Sequence, residues 1–228
     1  MYGTKDLNKI YAEYLAKRGF VVFNISYRLF PEVTVTEQLQ DISRAIAKAK
    51  EMFGELPCDT EKIILTGDSA GGQLAGFTAV LSESETLRTH FDTVDHGIKF
   101  DCAVLTSPVA YMNDSLPMGL YCRMMWGEKG MKRSTRKYMN IDELIKETES
   151  FPPTLLITSS GDTLAHDQTR RLYRDMLSNS IEAKLLDFPK WDGRNLPHVF
   201  ACLEPYSPEG SFCIDKFCEF TQKYTEGK

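Results

Sequence analysis

Gly67-Asp68-Ser69-Ala70-Gly71-Gly72 stands directly between an apolar run at residues 62–66 and a helical pattern at residues 73–81. A chain that passes from a buried strand into a helix through so few residues must turn within the G-x-S-x-G core, which restricts it to a strand–turn–helix of the α/β kind. The spacing also has a chemical meaning. A serine lifted to the carboxyl end of a strand stands exposed on a tight turn, and its neighbours two residues away, Gly67 and Gly71, are expected to have no room for a side chain. The helix behind it offers unpaired N–H groups and the positive end of its dipole to a developing oxyanion, with the Ala70 N–H as first donor. The bland alternative is a glycine-rich turn that merely packs tightly. A phosphate loop is excluded, because neither G-x-G-x-x-G nor G-x-x-x-x-G-K-[ST] is present.

Strand and helix patterns alternate along the rest of the chain. Leu7, Ile10, Tyr11, Tyr14 and Leu15 follow helical spacing, with Thr4 expected as N-cap and Gly19 as the stop. Residues 20–25 form an apolar run broken only by Asn24, the pattern of a strand buried on both faces. Thr34 and Glu37 are spaced as a capping box, and Leu39, Ile42, Ile46, Ala49 and Phe53 line one side of the helix that follows. Further strands are expected at 101–106, 154–159 and 182–188, and further helices at 167–177 and 211–224. The stretch from about 108 to 145, rich in Met, Tyr and Trp, reads as a small cap-like insertion. Such alternation implies right-handed crossovers and a mostly parallel sheet with helices on both faces, and residues 1–228 read as one α/β domain.

Charge and cysteine usage narrow the classes of partner. A net charge of −5 over 228 residues argues against nucleic acid or an anionic membrane surface as the main partner. No apolar run approaches the roughly 18 residues that a membrane span needs. The six cysteines, Cys58, Cys102, Cys122, Cys202, Cys213 and Cys218, contain no C-x-x-C pair and are too sparse for a disulfide framework. They read as reduced thiols of a cytoplasmic protein, with no metal site.

A serine hydroxyl is a poor nucleophile alone, so a base and an orienting acid should lie downstream. Of the four histidines, His90 and His96 fall in a polar stretch and read as solvated loop residues, and His166 opens a helix. His198, in the loop after the last strand, can reach the carboxyl edge of the sheet and fits the order Ser…Asp…His. Asp162 directly follows the 154–159 strand and is the natural acid, with Asp167 as its alternative. Asp68 adjoins the serine but should point away from it. Met118, Tyr121, Met125 and Trp126 either line a substrate pocket or pack on the core. The basic residues Lys129, Lys132, Arg133, Arg136 and Lys137 read as a solvated face.

With these residues in view, the chain resembles the hormone-sensitive-lipase branch of the α/β-hydrolases, which includes arylacetamide deacetylases and bacterial acetyl esterases. The matching pieces are Tyr27-Arg28-Leu29-Phe30-Pro31-Glu32, Gly67-Asp68-Ser69-Ala70-Gly71-Gly72, Gly161-Asp162-Thr163-Leu164 and Pro197-His198-Val199-Phe200, in the family's order. The resemblance implies hydrolysis of carboxylic esters of small or short acyl groups by Ser69, His198 and Asp162, a small-molecule ester as partner, and no cofactor or metal. It leaves a homodimer open. Two rivals share the scaffold: a non-catalytic small-molecule-binding protein, and an amidase or peptidase.

The family's His-Gly-Gly-Gly oxyanion motif lies just ahead of the segment that Met1-Tyr2-Gly3-Thr4 resembles, and this sequence does not contain it. The resemblance therefore implies an N-terminally truncated chain that lacks the early strands. One of those strands belongs between the runs at 20–25 and 62–66, so unpaired edges are expected there. The alternative is a genuinely shortened chain whose core a partner repairs.

Overall fold

The computed structural model describes residues 4–112, 118–128, 132–190 and 195–226. Its centre is a four-stranded, wholly parallel sheet in the order β1 (Ile64–Asp68), β2 (Cys102–Thr106), β3 (Thr154–Ser159), β4 (Ala183–Phe188). Strand order follows chain order, so each crossover passes over the sheet to the adjacent position.

Alternation along the strands assigns the two faces. Cys102, Val104, Leu155 and Ile157 pack with Tyr11 and Leu15 of α1 (Lys9–Ala16) and with Phe217 and Phe220 of the last helix (Pro208–Thr225). Ala103, Leu105 and Leu156 point the other way, onto Leu39 and Ile42 of α2 (Val35–Glu51), Phe77 of α3 (Ser69–Glu83), Phe91 of α4 (Glu85–Phe91) and Leu172 of the helix His166–Ser178. The period-2 pleat thus buries two separate cores on one sheet. The α/β class and helices on both faces are as the sequence implies.

Two expectations at the start of the chain are corrected. Helix α1 begins only at Lys9, and its N-cap is Asn8; Thr4 instead bonds Asp6 and caps nothing. Residues 20–25 join no sheet. Their side chains alternate between half-buried and exposed, with Val21 and Phe23 about 40% open to solvent, and β1 ends the sheet at its other edge. Residues 22–27 and 65–68 instead line a common cavity, and no ladder, which requires a backbone spacing of roughly 4.8 Å, joins the two segments.

The 20–29 segment is held by side chains instead. Asp41 of α2 accepts the Arg28 guanidinium through both oxygens, at 2.7 and 2.9 Å, and takes a further bond from Arg44 at 2.8 Å. The Arg28 hydrogen bonds hold the Asp41 carboxyl down at about 2. A carboxyl whose pKa falls on folding stabilises the fold above its unfolded pKa, and that contribution is lost as pH drops through the folded value. Asp41→Asn should therefore cost about 1 kcal/mol at pH 7, since Arg28 is half exposed, which lowers Tm by about 2–4 °C. Thermal melts should show this gap closing as pH is lowered from about 4 toward 2; a gap independent of pH would contradict the assignment.

The capping box at Thr34 forms as expected, with Glu37 bonded to the Thr34 backbone N–H at 2.8 Å. The two histidines read as solvated loop residues are not such. His90 lies within α4, edge-on to Phe91 and Tyr138, and His96 is buried with Nδ1 accepting from the Ile98 N–H at 3.2 Å. Polar neighbours in sequence concealed the apolar floor beneath both rings. All six cysteines carry free thiols, four of them buried. Among the described residues no helix is long and apolar enough to cross a membrane.

Candidate active site

Ser69 sits where β1 becomes α3, with φ of +52°. An L-residue reaches the left-handed region at a cost, and the strain lifts the hydroxyl clear of the strand end. Asp68 points away, taking a 2.7 Å bond from Asn8 Nδ2, and burial pushes its carboxyl up.

The tightness of this turn is not placed as the G-x-S-x-G spacing suggests. A Cβ on Gly67 would lie 2.4 Å from the Gly71 carbonyl oxygen, a backbone atom that cannot move aside. A Cβ on Gly71 would meet nothing closer than 3.9 Å, so Gly71 has room for a side chain after all. The second close approach belongs to Gly72, whose Cβ would stand 3.0 Å from Pro108 Cβ. Gly67→Ala should consequently cost about 3 kcal/mol or more, whereas Gly71→Ala, inside α3, should be neutral or stabilising by up to about 1 kcal/mol. Chemical denaturation of the two variants measures the contrast, and equal stabilities would sink it.

Three side chains distant in sequence converge at the carboxyl ends of the strands. His198 Nε2 lies 2.8 Å from Ser69 Oγ, and its Nδ1 lies 2.9 Å from Asp162 Oδ2. The Asp162 side chain is fully buried, and its Oδ1 accepts the backbone N–H groups of Leu164 at 3.0 Å and Ala165 at 2.9 Å. Burial raises the Asp162 carboxyl, but the His198 bond, the nearby Ser107 hydroxyl and the Ala165 amide outweigh it and hold the group at about 2. The acid is therefore ionised throughout the neutral range. It can keep a proton on Nδ1 and leave Nε2 free to accept one from the serine.

The sequence-level alternatives fall elsewhere. The Asp167 side chain is fully exposed and only borders His166, whose Nε2 bonds Asp187 at 2.9 Å. Ala70 is the second residue of α3, so its N–H is among the four that a helix leaves without an internal partner.

A cavity of about 430 Å³ opens beside Ser69, Ala70 and His198 and runs along the free edge of β1. Its apolar walls include Tyr11, Val22, Ile25, Ile46, Leu65 and Leu74. Met125 and Trp126 do not line it. Both are buried in the core with α3 and α4, the Trp126 ring tilted against Phe77 at 5.3 Å and Phe91 at 5.9 Å between centroids, because their large apolar area is better removed from water there. The side chains of Met118 and Tyr121 lie outside the described residues. Among the described residues no three His, Cys, Asp or Glu side chains are grouped to hold a metal.

Sequence reasoning passed over one residue of this neighbourhood. Ser107, at the end of β2, is buried with φ of +47° beside the Asp162 carboxylate. A serine before a proline at a strand's carboxyl end was the available signal.

Comparison with known proteins supplies the remaining context. The BD-FAE family matches residues 1–176. A probable isoprenylcysteine alpha-carbonyl methylesterase of Oryza sativa subsp. japonica is 36% identical, over 87% of this chain and 48% of its own length. An arylesterase of Saccharolobus solfataricus is 37% identical, over 69% of this chain and 52% of its own. The chain thus spans about half the length of these relatives. Among solved structures, esterase B from Lactobacillus rhamnosis superposes with a TM-score of 0.89 at 26% identity, covering 98% of this chain and 72% of that one.

Proposed function

The chain belongs to the BD-FAE family of hormone-sensitive-lipase-like α/β-hydrolases, and from that membership we propose that its protein is a serine hydrolase of carboxylic esters with small or short acyl groups. The observation that carries the reading is the unbroken series of contacts from Ser69 Oγ through His198 to Asp162, at 2.8 and 2.9 Å. Ser69 attacks the ester carbonyl while His198 Nε2 takes its proton, and Asp162 stabilises the imidazolium that forms. The same proton goes to the departing alkoxide. Water activated by His198 then releases the acid from the acyl-enzyme. The Ala70 N–H, free at the first turn of α3, donates to the oxyanion. Such a donor is worth on the order of 10²–10³ in rate.

The names of the similar proteins, a methylesterase and an arylesterase, support an ester over an amide. A binding protein that had abandoned catalysis would have no need of an ionised acid, an imidazole and a strained serine held in line. The test is hydrolysis of p-nitrophenyl acetate, butyrate and octanoate, beside p-nitroacetanilide, by the protein expressed from its full reading frame. Turnover should be fastest on the shorter esters and at least about 100-fold slower on the anilide. Binding of the esters without release of nitrophenol would favour the non-catalytic reading, and an anilide rate equal to the ester rate would favour the amidase.

A further inference from the structure

Segment 107–109 touches both ends of the contact series. The Ser107 N–H donates to the Ile157 carbonyl at 2.8 Å, extending the β2–β3 ladder by one bond past Thr106. Two residues on, the Val109 N–H donates to the Ser69 carbonyl at 3.1 Å, and between them Pro108 packs against Gly72. The chain can make this turn only because Ser107 takes the left-handed conformation, which is disfavoured for serine and further disfavoured before proline. Routing alone does not require a serine, since glycine would follow the same path without strain.

The side chain is what glycine would lack. Ser107 Oγ is wholly buried and has no hydrogen bond of full geometry among the described residues, an arrangement that ordinarily costs about 1–3 kcal/mol. The group it lies beside is the Asp162 carboxylate, whose two oxygens already accept from His198, Leu164 and Ala165. A carboxylate has about four acceptor directions, so one remains for the Ser107 hydroxyl beside it.

We propose that Ser107 is a positioning residue: its hydroxyl donates to Asp162, fixes that carboxylate against His198, and draws off part of the negative charge that the imidazole would otherwise feel. The strain at Ser107 is held in place by the brace to Ser69, so one segment registers the nucleophile and the acid together. This proposal rests on the hydrolase reading for its kinetic consequence, though not for its geometry.

The sign of the effect follows. Without the hydroxyl, the carboxylate attracts the imidazolium more strongly, and the acid limb of the rate moves to higher pH. Ser107→Gly removes the hydroxyl and the strain; Ser107→Ala removes only the hydroxyl. Both should move the acid limb for reaction with diethyl p-nitrophenyl phosphate up by about half a pH unit, which is about threefold slower below the midpoint. The glycine variant should melt at or above the parent temperature and the alanine variant below it. A limb that shifts only in the alanine variant, or in neither, would overturn the proposal. The far-downfield NMR resonance of the His198 Nδ1 proton gives an answer independent of turnover: it should move downfield in both variants, and an unmoved resonance would equally overturn it. If the parent protein does not react at Ser69 at all, the hydrolase reading fails, and the resonance alone decides the role of Ser107.

Discussion

Ser69→Ala is expected to reduce kcat on p-nitrophenyl butyrate by on the order of 10⁴–10⁶-fold while leaving the fold intact. The size of the loss follows from what the hydroxyl does and what it does not hold up. Its polar contact is the 2.8 Å approach to His198 Nε2, so its removal deletes the attacking atom and orphans one imidazole nitrogen that water can reach, the His198 side chain being about a quarter exposed. The φ of +52° is no worse for alanine than for serine, and the ladder and helix on either side are unaffected. Melting temperature should therefore change by no more than a few degrees. Activity within tenfold of the parent would place the nucleophile elsewhere.

Asp162→Asn should cost nearly as much, on the order of 10⁴ in kcat, with KM little changed. The direction is dictated by the backbone. Oδ1 is pinned by two N–H donors, Leu164 and Ala165, so an asparagine must keep its carbonyl oxygen there and turn its NH₂ toward His198 Nδ1. A donor facing Nδ1 forces the imidazole proton onto Nε2, the nitrogen that should take the proton of Ser69. The variant would present a correctly shaped but wrongly protonated site. At neutral pH the variant should be less stable by about 1–3 kcal/mol, because the buried donors lose a charged acceptor. In the parent the carboxylate near 2 stabilises the fold above the ordinary carboxylate range, and this is lost as the pH falls toward 2; the asparagine variant should not show that loss. A fall in kcat of less than tenfold would mean that Asp162 orients nothing.

The parts of this site that were legible in the sequence are those in which local chemistry dictates residue type. The turn at Gly67–Gly72, the loop position of His198 and the strand-end position of Asp162 each follow from a junction between periodic segments, and the structure brings all three within hydrogen-bond reach. What depended on distant partners was not legible. The apolar run at 20–25 has every local mark of a strand, yet a strand exists only where another backbone lies alongside, and none does here among the described residues. Met125 and Trp126 have the composition of a pocket wall and of a core equally, and only the aromatic floor at Phe77 and Phe91 decides between them. Gly71 fits the pattern without needing to be glycine, whereas the constraint at Gly72 comes from Pro108, thirty-odd residues away. Ser107 was missed for the same reason, since its meaning lies in Asp162.

The central claim is that Ser69 is the activated nucleophile, made so by His198 and Asp162. Incubation with diethyl p-nitrophenyl phosphate followed by intact-mass measurement and peptide mapping tests it most directly, since the reagent phosphorylates an activated serine once and stays. The account predicts a single diethylphosphoryl group on the peptide carrying Ser69, absent from Ser69→Ala and formed at least about 100-fold more slowly in Asp162→Asn. Phosphorylation at another residue, or full labelling of Ser69→Ala, would contradict it.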